Sequence, residues 1–561
     1  MNKGSYSVVL SGEAGQGLKT IESLFMALLQ KSGYHAFLYK EFMSRVRGGN
    51  NTSEIRIAST AVSAYVNKID LLLVFSKDGL DRLLDRIDED TLIVGEEMYI
   101  TAKKTKGKLH PIPIVEHMEK LGSQIYANNF VNGLLCDLFF CDATYAFEAI
   151  EKQFSKKGEE VVEKNRQAFQ MGQEIGKTFN GTFKLPPDPA VKKRYSLSGS
   201  EAIGIGALAG GCNFIASYPM SPSTAVLVYL SKHARSHGIV VEQAEDEIAA
   251  INMGLGAWYA GARAMVTTSG GGFALMGEGV SLAGIIESPM VIHLAQRPGP
   301  ATGLPTRTEQ GDLNLAIYAG QGDFPRIIYA PGTFEDAIRL THRAFEMADA
   351  FQVPVFVLTD QYFLDSEGQL DPIDFSTLTV TNNIVKTEKE YLRYELTPSG
   401  LSPRGIPSFG EGLVCVDSDE HTEEGRITES AAVRVSMVDK RLRKIEGYKE
   451  VEVEIVGEKD YETLVVLWGS PYGAVKEAVE RIGDKTIAIA YFKQVFPLPL
   501  ATRAILSKAK RRILVENNAT GQLGELIARD LQLTFDAKIL KYNGFAFSVE
   551  ELATQIKGAL K

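Results

Sequence analysis

Short apolar runs alternate with amphipathic stretches along most of this 561-residue chain. The run YSVVL has the length of a buried strand, and LKTIESLFMALLQKSG shortly after it carries apolar residues at helical spacing. Further strand-like runs, separated by glycine, asparagine and charged residues, continue to about residue 95. We therefore predict an α/β domain over residues 1–184 that ends in the helical segment EEVVEKNRQAFQMGQEIG.

The same alternation predicts two further domains. Prolines and charges replace the periodicity in LPPDPAVKKRYSLSG, so we place a linker at 185–196. Strand-like and helical segments then alternate over 197–370, which is typical of a parallel sheet wrapped by helices. Turn-rich sequence predicts an irregular connecting region at 371–455, and the alternation resumes over 456–561. The expected fold class is α/β, with three α/β domains.

Composition excludes several classes of protein. The chain is 45% hydrophobic and 23% charged, as soluble globular proteins are. Acidic residues outnumber Lys and Arg by 70 to 60 and no basic block occurs, so we expect no nucleic-acid partner. No run of about 18 apolar residues is present, which predicts neither a signal peptide nor a membrane span and favours a cytoplasmic location. The four cysteines include one close pair, spaced C-x4-C, so we expect no metal site in this chain.

Four carboxylates lie within six positions in the segment VVEQAEDEIAA. Glu242 falls within the predicted strand, and Glu245 falls where the carboxyl end of that strand would border a ligand crevice. Asp246 and Glu247 fall in the first turn of the following helix, where the positive end of the helix dipole stabilises negative charge. The pattern predicts two structural acids and one acid placed to meet a ligand.

Five motifs occur in a fixed order along the middle of the chain: SGSEAIGIGALAGGCNFIASYPMSPST, QAEDEIAAINMG, TTSGGGFALMGEG, QRPGPATGLPTRTEQGDL and VPVFVLTDQYFLDS. This succession resembles the alpha subunit of the 2-oxoacid:ferredoxin oxidoreductases. The first domain is similar to the family's gamma subunit, fused in front. The segments LWGSPYGAVKEAVERI, YFKQVFPLP and VENNATGQLGEL resemble its transketolase-type C-terminal domain. The resemblance covers essentially the whole chain and implies that 197–370 is a pyrimidine-binding domain for thiamine diphosphate.

The resemblance implies an enzyme that uses thiamine diphosphate, a four-iron cluster and coenzyme A to convert a 2-oxoacid into an acyl-CoA, carbon dioxide and reduced ferredoxin. In such families a separate beta subunit binds the diphosphate, its magnesium ion and the cluster. The implied partners are that beta subunit and ferredoxin, in a dimer of alpha-beta heterodimers. We expect 2-oxoglutarate as the substrate, and pyruvate and branched-chain or aryl 2-oxoacids stay open, as does the direction of the reaction in the cell.

Two other functions stay open from the residues alone. A thiamine enzyme without redox chemistry would need the diphosphate-binding motif in this chain, and no G-D-G followed at a suitable spacing by Asn-Asn is present. A non-catalytic subunit that binds coenzyme A or a nucleotide would use only the first domain. Such a subunit would not need the polar motifs of the second domain.

The resemblance also implies site residues in the second domain. Glu245 matches the glutamate that contacts the aminopyrimidine ring of thiamine and promotes its reactive form, with Glu242 as the alternative. Arg297 is expected to be catalytic and to bind the substrate, since it lies in a proline-rich turn suited to bidentate capture of a substrate carboxylate. The remaining candidates are the substrate-binding residues Ser221, Pro219 and Thr306, of which Ser221 is also expected to be catalytic, and the cofactor-binding glycines Gly270 and Gly271.

In the first domain, SGEAGQGLKT follows a strand and opens a helix, so its backbone amides could bind an anion. It is not a Walker A loop, because Leu18 separates the last glycine from Lys19. It resembles the gamma subunit's G-x-G-G-Q-G, with Ala14 replacing one glycine, which implies a role in coenzyme A binding; the alternative is a tight strand-to-helix turn. The coenzyme A candidates are Gly12, Gly15, Gly17 and Arg47, although Arg47 could equally pack against the second domain.

Overall fold

The computed structural model describes residues 4–43, 49–179 and 182–561. The chain divides into two compact units. The first comprises Met1–Leu197, Ser366–Pro372 and Ser548–Glu551, and the second comprises Ser198–Asp365, Ile373–Phe547 and Leu552–Lys561. Within the described ranges, no helix combines the length and the apolar character that crossing a membrane requires.

The described chain up to Ser198 alternates strands with helices, as its periodicity predicts. The strands are β1 (Ser5–Glu13), β2 (His35–Glu41), β3 (Asn50–Ala58), β4 (Leu71–Val74), β5 (Leu92–Gly95), β6 (Lys108–Pro111) and β7 (Tyr195–Ser198). The α-helices are α1 (Leu18–Ser32), α2 (Glu97–Ile100), α3 (Ile114–Leu121), α4 (Ala127–Leu138), α5 (Ala143–Phe154) and α6 (Glu159–Gly176).

The next segment has the alternation of a parallel α/β domain. Its strands are β8 (Phe214–Ser217), β9 (Val240–Gln243), β10 (Ala264–Thr268), β11 (Met290–Gln296), β12 (Ile327–Tyr329) and β13 (Pro354–Asp360). Its helices are α7 (Gly199–Ala209), α8 (Thr224–His237), α9 (Glu247–Tyr259), α10 (Gly270–Leu275), α11 (Gly277–Ile285), α12 (Leu313–Tyr318), α13 (Phe334–Phe351) and α14 (Gln361–Asp365).

The remaining elements complete the three sheets. The strands are β14 (Glu367–Leu370), β15 (Glu454–Val456), β16 (Thr463–Trp468), β17 (Ile487–Phe492), β18 (Gln494–Phe496), β19 (Arg511–Glu516) and β20 (Ala537–Leu540). The helices are α15 (Ala431–Arg443), α16 (Tyr472–Ile482), α17 (Thr502–Lys508), α18 (Gln522–Leu531) and α19 (Val549–Ala559).

The first sheet is mixed and has the order β6-β5-β4-β1-β3-β2-β14-β7. Strand β1 pairs in parallel with β4 and antiparallel with β3. Alternate residues of β1, such as Val8 and Leu10, are fully buried and pack in one cluster with Phe25 of α1 and Phe130 of α4. Burial of this apolar surface is the main source of stability for such a layered fold.

The second sheet has the order β18-β12-β13-β11-β10-β8-β9, and its pairings are parallel except where β18 lies antiparallel to β12. The third sheet has the order β15-β17-β16-β19-β20 and is parallel apart from β15. Three sheets whose strands are joined by helices confirm the predicted α/β class. Because neighbouring parallel strands end at one edge of a sheet, the second sheet collects the loops after β8, β9, β10 and β11.

Helix α15 lies inside the stretch for which the sequence predicted irregular structure. Its buried residues include Met437, Lys440 and Arg441, so two of its inward-facing positions are charged. An apolar stripe, which is the usual sequence signal of a packed helix, is therefore missing.

Candidate active site at one edge of the second sheet

The sequence-predicted residues of the second domain follow four neighbouring parallel strands. Ser221 lies in the loop after β8, Glu245 after β9, Gly270 after β10 and Arg297 directly after β11. These strands are adjacent in the order β11-β10-β8-β9, so the four residues share one edge of the sheet. This edge is where parallel α/β sheets bind their ligands.

Arg297 and Ser221 are in direct contact. The Arg297 Nη1 donates a hydrogen bond of 2.8 Å to the backbone carbonyl of Ser221. The Arg297 Nε is buried and has no hydrogen-bond partner among the described residues. Burial lowers the pKa of Arg297, and a guanidinium remains charged at physiological pH. The site therefore holds an oriented cation with an unused donor, which suits binding of an anion.

The other predicted substrate-binding residues lie in the loops after β8 and β11. Pro219 is half-buried in the loop after β8, and Ser221 in the same loop is exposed. Thr306 is half-buried in the loop that begins with Arg297. The loops after β8 and β11 therefore both contribute predicted substrate-binding residues to this edge of the sheet.

The four clustered carboxylates have different environments. Glu242 at the end of β9 and Glu245 after it are exposed. Asp246 caps α9, since its carboxylate accepts a 2.7 Å hydrogen bond from the backbone amide of Ala249. Glu247, the first residue of α9, is only 3% exposed, and its Oε1 is buried without a hydrogen-bond partner among the described residues.

Glu247 is held against the start of α10. A Cβ atom added to Gly272 would lie 2.4 Å from the Glu247 Oε1 and 2.4 Å from the Thr268 Oγ1, so these two side chains occupy the space that a larger residue at position 272 would need. The sequence pointed to Glu245 and treated Glu247 as a partner of the helix dipole. One available signal was its helical spacing from the buried residues Ala250 and Gly254, which puts Glu247 on the inward face of α9.

The two glycines predicted to bind cofactor, Gly270 and Gly271, differ in how much space lies beside them. A Cβ atom on Gly270 would lie 2.4 Å from the Asp312 Oδ2, so a carboxyl group of the chain itself fills that space. Gly271 is open, since the nearest atom to its added Cβ is the Ala301 carbonyl oxygen at 3.6 Å. Sequence reasoning did not single out Asp312, which lies in the loop after β11.

The first unit contains the predicted coenzyme A loop between β1 and α1. Gly15 and Gly17 have φ angles of +93° and +79°, a region that favours glycine. A Cβ atom on Gly17 would also lie 2.2 Å from the Asn128 Nδ2, and one on Gly12 would lie 2.6 Å from the Gln16 Oε1. The turn itself therefore favours glycine at positions 15 and 17, whereas Gly12 lies in β1 against the movable end of the Gln16 side chain. Arg47, the fourth candidate, lies outside the described residues.

Within the described ranges, no group of three or more histidines, cysteines, aspartates or glutamates is arranged to hold a metal ion. The Cys136 thiol donates a hydrogen bond of 3.3 Å to the Cys141 carbonyl, and both cysteines are free.

Comparison with known proteins identifies the family. Residues 205–440 match the family model described as pyruvate flavodoxin/ferredoxin oxidoreductase, thiamine diphosphate-binding. Residues 7–175 match the model described as pyruvate ferredoxin/flavodoxin oxidoreductase. The 2-oxoacid:ferredoxin oxidoreductase subunit alpha of a Sulfolobus species is 30% identical over 99% of this chain and 97% of its own.

Two further relatives agree. The 2-oxoglutarate synthase subunit KorA of Archaeoglobus fulgidus is 33% identical over 65% of this chain and 99% of its own. A solved structure of the 2-oxoglutarate:ferredoxin oxidoreductase from Magnetococcus marinus, with 2-oxoglutarate, coenzyme A and succinyl-CoA bound, is 29% identical. It superposes with a TM-score of 0.92 and covers 100% of both chains. This chain therefore belongs to the 2-oxoacid:ferredoxin oxidoreductase family, as an alpha subunit.

Proposed function

We propose that this chain provides the 2-oxoacid site and the aminopyrimidine site of an enzyme that oxidatively decarboxylates a 2-oxoacid. One 2-oxoacid and one coenzyme A thiol give an acyl-CoA, carbon dioxide and a proton, and two ferredoxins each accept one electron. The observation that carries this proposal is that one edge of the second sheet holds both the Arg297 guanidinium and a buried oxygen of Glu247 that has no partner among the described residues.

The residues present fit the pyrimidine end of thiamine diphosphate. When bound, this cofactor supplies a carbon nucleophile for the 2-oxo carbon and a sink for the electrons released on decarboxylation. A buried carboxylate oxygen without a partner has a strong need for a hydrogen-bond donor, and a ring nitrogen that carries a proton meets it. We therefore assign this contact to Glu247 in preference to the exposed Glu245 and Glu242.

Arg297 has the role of the substrate anchor. Its Nη1 is fixed by the Ser221 carbonyl, which leaves its other donors for the carboxylate of a 2-oxoacid. Ser221, which is exposed, lies in the loop after β8, and Thr306 lies in the loop that begins with Arg297; the hydroxyl groups of both are proposed to donate hydrogen bonds to the substrate. The open space at Gly271 admits a ligand at close range to the backbone.

We propose 2-oxoglutarate as the substrate and coenzyme A as the acyl acceptor. The Magnetococcus marinus enzyme, which shares the fold of the entire chain, holds both compounds in its solved structure. The loop with Gly12, Gly15 and Gly17 is the proposed contribution of the first unit to coenzyme A binding. A beta subunit is proposed to bind the diphosphate, its magnesium ion and a four-iron cluster, in a dimer of alpha-beta heterodimers that reduces ferredoxin.

The test is an anaerobic assay of the chain co-expressed with a candidate beta subunit. Coenzyme A-dependent reduction of a viologen dye is measured with 2-oxoglutarate, pyruvate and 2-oxoisovalerate, for wild type, Glu247→Gln and Glu245→Gln. Loss of a group that moves a proton costs about 100-fold or more in kcat, so Glu247→Gln should be nearly inactive while Glu245→Gln keeps most of its activity.

The opposite ranking of the two variants would return the role to Glu245. Failure of the cofactor-loaded wild type to reduce the dye with any 2-oxoacid would reject the proposed function. Reduction with pyruvate or 2-oxoisovalerate in place of 2-oxoglutarate would retain the reaction and change the substrate.

A further inference from the structure

The irregular segment that carries Arg297 is closed at its base by hydrogen bonds. This segment, the substrate loop, comprises residues 297–312 and joins the end of β11 to the start of α12. The buried Gln296 side chain accepts a 3.0 Å hydrogen bond from the Asp312 backbone amide and donates one of 3.1 Å to the Thr359 carbonyl of β13. The residue that precedes Arg297 therefore ties both ends of the substrate loop to the second sheet.

Gln310 attaches the same loop to the third sheet. It is 0% exposed, and its backbone and side-chain polar groups all form hydrogen bonds. Its backbone amide donates to the Asn517 carbonyl at 2.7 Å, and its side-chain oxygen accepts from the Asn517 amide at 2.9 Å. Its side-chain nitrogen donates to the Trp468 carbonyl at 2.8 Å, and its carbonyl accepts from the Asn518 side chain at 3.1 Å. Because Trp468 ends β16 and Asn517 follows the neighbouring strand β19, Gln310 lies at the carboxyl edge of the third sheet.

Gln522 makes a second attachment between the third sheet's layer of helices and the substrate loop. It is the first residue of α18. Its side-chain nitrogen donates a 2.8 Å hydrogen bond to the Gly311 carbonyl, and its side-chain oxygen accepts one of 2.9 Å from the Asn314 amide in α12. The end of the substrate loop is therefore held from both β19 and α18.

Few bonds separate these attachments from the proposed substrate anchor. Asp312 is two residues from Gln310, and its amide is hydrogen-bonded to Gln296, which precedes Arg297. Thr306 lies four residues before Gln310 in the same loop. A loop lacks the internal hydrogen bonds of a helix or strand, so its conformation depends on contacts of this kind. A change at Gln310 should therefore reach Arg297 and Thr306.

We propose that Gln310 is a positioning residue for Arg297 and Thr306, through which the third sheet holds the substrate loop in the conformation that binds a 2-oxoacid. This inference rests on the proposed role of Arg297 as the substrate anchor. A loop that is already ordered does not lose affinity to its own ordering when the ligand binds. The third sheet, which carries none of the candidate site residues, thereby contributes to the affinity for the substrate.

Gln310→Met removes both side-chain hydrogen bonds of Gln310 and keeps a side chain of similar length. Displacement of an anchoring group by about 1 Å can cost up to about 100-fold in kcat/KM. KM for the 2-oxoacid should therefore rise by about 10-fold to about 100-fold, and kcat should change less, because an anchor that holds the substrate before and during the reaction acts mainly on KM. Gln522→Ala removes the other attachment and should raise KM in the same direction.

Gln494→Met is the matched control. Gln494 is also 0% exposed and lies in the same unit. Its side chain accepts hydrogen bonds from the Tyr448 hydroxyl and the Val451 amide and donates one to the Pro497 carbonyl, and none of these partners belongs to the substrate loop. Gln494→Met should therefore lower the melting temperature as Gln310→Met does, and it should leave KM unchanged.

The experiment uses the complex of this chain with its beta subunit, assayed anaerobically by dye reduction. KM and kcat are measured for the 2-oxoacid that wild type oxidises, expected to be 2-oxoglutarate. KM for coenzyme A is an internal reference that should not change, since the loop proposed to bind it lies in the first unit. Thermal unfolding shows whether each variant is folded. Gln522 is half-buried, so Gln522→Ala tests the inference where Gln310→Met does not fold.

The expected result is a higher KM for the 2-oxoacid in Gln310→Met than in wild type and Gln494→Met, with an unchanged KM for coenzyme A. An unchanged KM in folded Gln310→Met, or in Gln522→Ala where Gln310→Met does not fold, would overturn this inference alone. An equal rise in Gln494→Met, or a loss confined to kcat, would do the same. No turnover of any 2-oxoacid by the cofactor-loaded wild type would overturn the proposed function and this inference with it.

Discussion

Glu287 is the centre of a buried charge cluster that attaches the connecting region to the second sheet. It lies between α11 and β11 and is 0% exposed. Its carboxylate oxygens lie 2.7 Å and 2.9 Å from the Nζ atoms of Lys440 and Lys444, and its backbone carbonyl accepts a 2.8 Å hydrogen bond from Arg393. Burial opposes ionisation of Glu287, yet Lys444, Lys440 and Arg393 together lower its pKa to about 2.

Replacing Glu287 by Gln keeps the shape of the side chain and removes the one charge that compensates these cations. Breaking a buried ion pair in this way costs about 3–5 kcal/mol. Each lysine can reduce this loss of stability by releasing its proton. Releasing the proton itself costs about 1.4 kcal/mol for every unit by which the pH lies below the unfolded lysine pKa of about 10.4. At about pH 8 that limit is about 3 kcal/mol per lysine, which agrees with the first figure.

The sign of the pH dependence is determined by the lysines. Without Glu287, their folded pKa values fall further below their unfolded values, so the folded variant binds fewer protons than its unfolded form. A lysine whose pKa is lower in the folded than in the unfolded protein makes the free energy of unfolding rise with pH, up to the unfolded pKa of that lysine. Burial already lowers the pKa of Lys444 to about 7 in the wild type, so above about pH 7 this lysine adds little to the difference between the two proteins. The deficit of Glu287→Gln relative to wild type should therefore shrink by up to about 1.4 kcal/mol per pH unit as the pH rises above about 7 towards the wild-type pKa of Lys440, which burial lowers.

Urea unfolding of the chain at several pH values, followed by the fluorescence of the buried Trp258 and Trp468, measures this deficit. Glu335→Gln is a matched control, because Glu335 forms an exposed ion pair with Arg339 in the same unit and should cost no more than about 1 kcal/mol. Adding Lys440→Met to Glu287→Gln should restore part of the loss. A Glu287→Gln variant as stable as the control, or one whose deficit does not change with pH, would refute this account of the cluster.

Two further predictions concern glycines in close contact with other groups. Ala is a better helix former than Gly by about 1 kcal/mol, so Gly271→Ala should stabilise α10. Gly272→Ala should melt at a lower temperature than Gly271→Ala, because the added Cβ atom at position 272 would overlap the Glu247 carboxyl group. Equal melting temperatures would contradict that packing. In the first unit, Gly133→Ala should lower the free energy of unfolding by about 1–3 kcal/mol or more, because the added Cβ would lie 1.9 Å from the Phe169 carbonyl oxygen where α4 meets α6. Unchanged thermal unfolding of this variant would contradict the prediction.

The sequence predicts most of the fold because the strands of a parallel sheet are nearly continuous apolar runs. Every residue of β11 and β13 is buried, and their sequences MVIHLAQ and PVFVLTD read as strands without further information. The contact of Arg297 with Ser221 could also be anticipated, since both residues follow parallel strands. Helix α15 could not, because its buried Lys440 is stabilised by Glu287, a residue distant in sequence.

The assignment within the acidic segment was beyond the sequence for a related reason. Glu245, Asp246 and Glu247 are consecutive, and the junction between β9 and α9 alone decides which of them is exposed, which caps the helix and which is buried. A shift of one residue in the start of α9 would exchange these environments, because successive residues of a helix lie about 100° apart. Asp312 lacks any local pattern, since the groups packed against it include Gly270 and Gln296, which are distant in sequence.

The two buried acids, Asp312 and Glu247, lie in the spaces beside the glycines at the start of α10. The sequence predicted that Gly270 and Gly271 bind the cofactor. The spaces beside Gly270 and Gly272 are instead filled by the carboxyl groups of Asp312 and Glu247, and Gly271 between them is open. The three glycines thus leave one opening for a ligand, with a carboxyl group on either side of it.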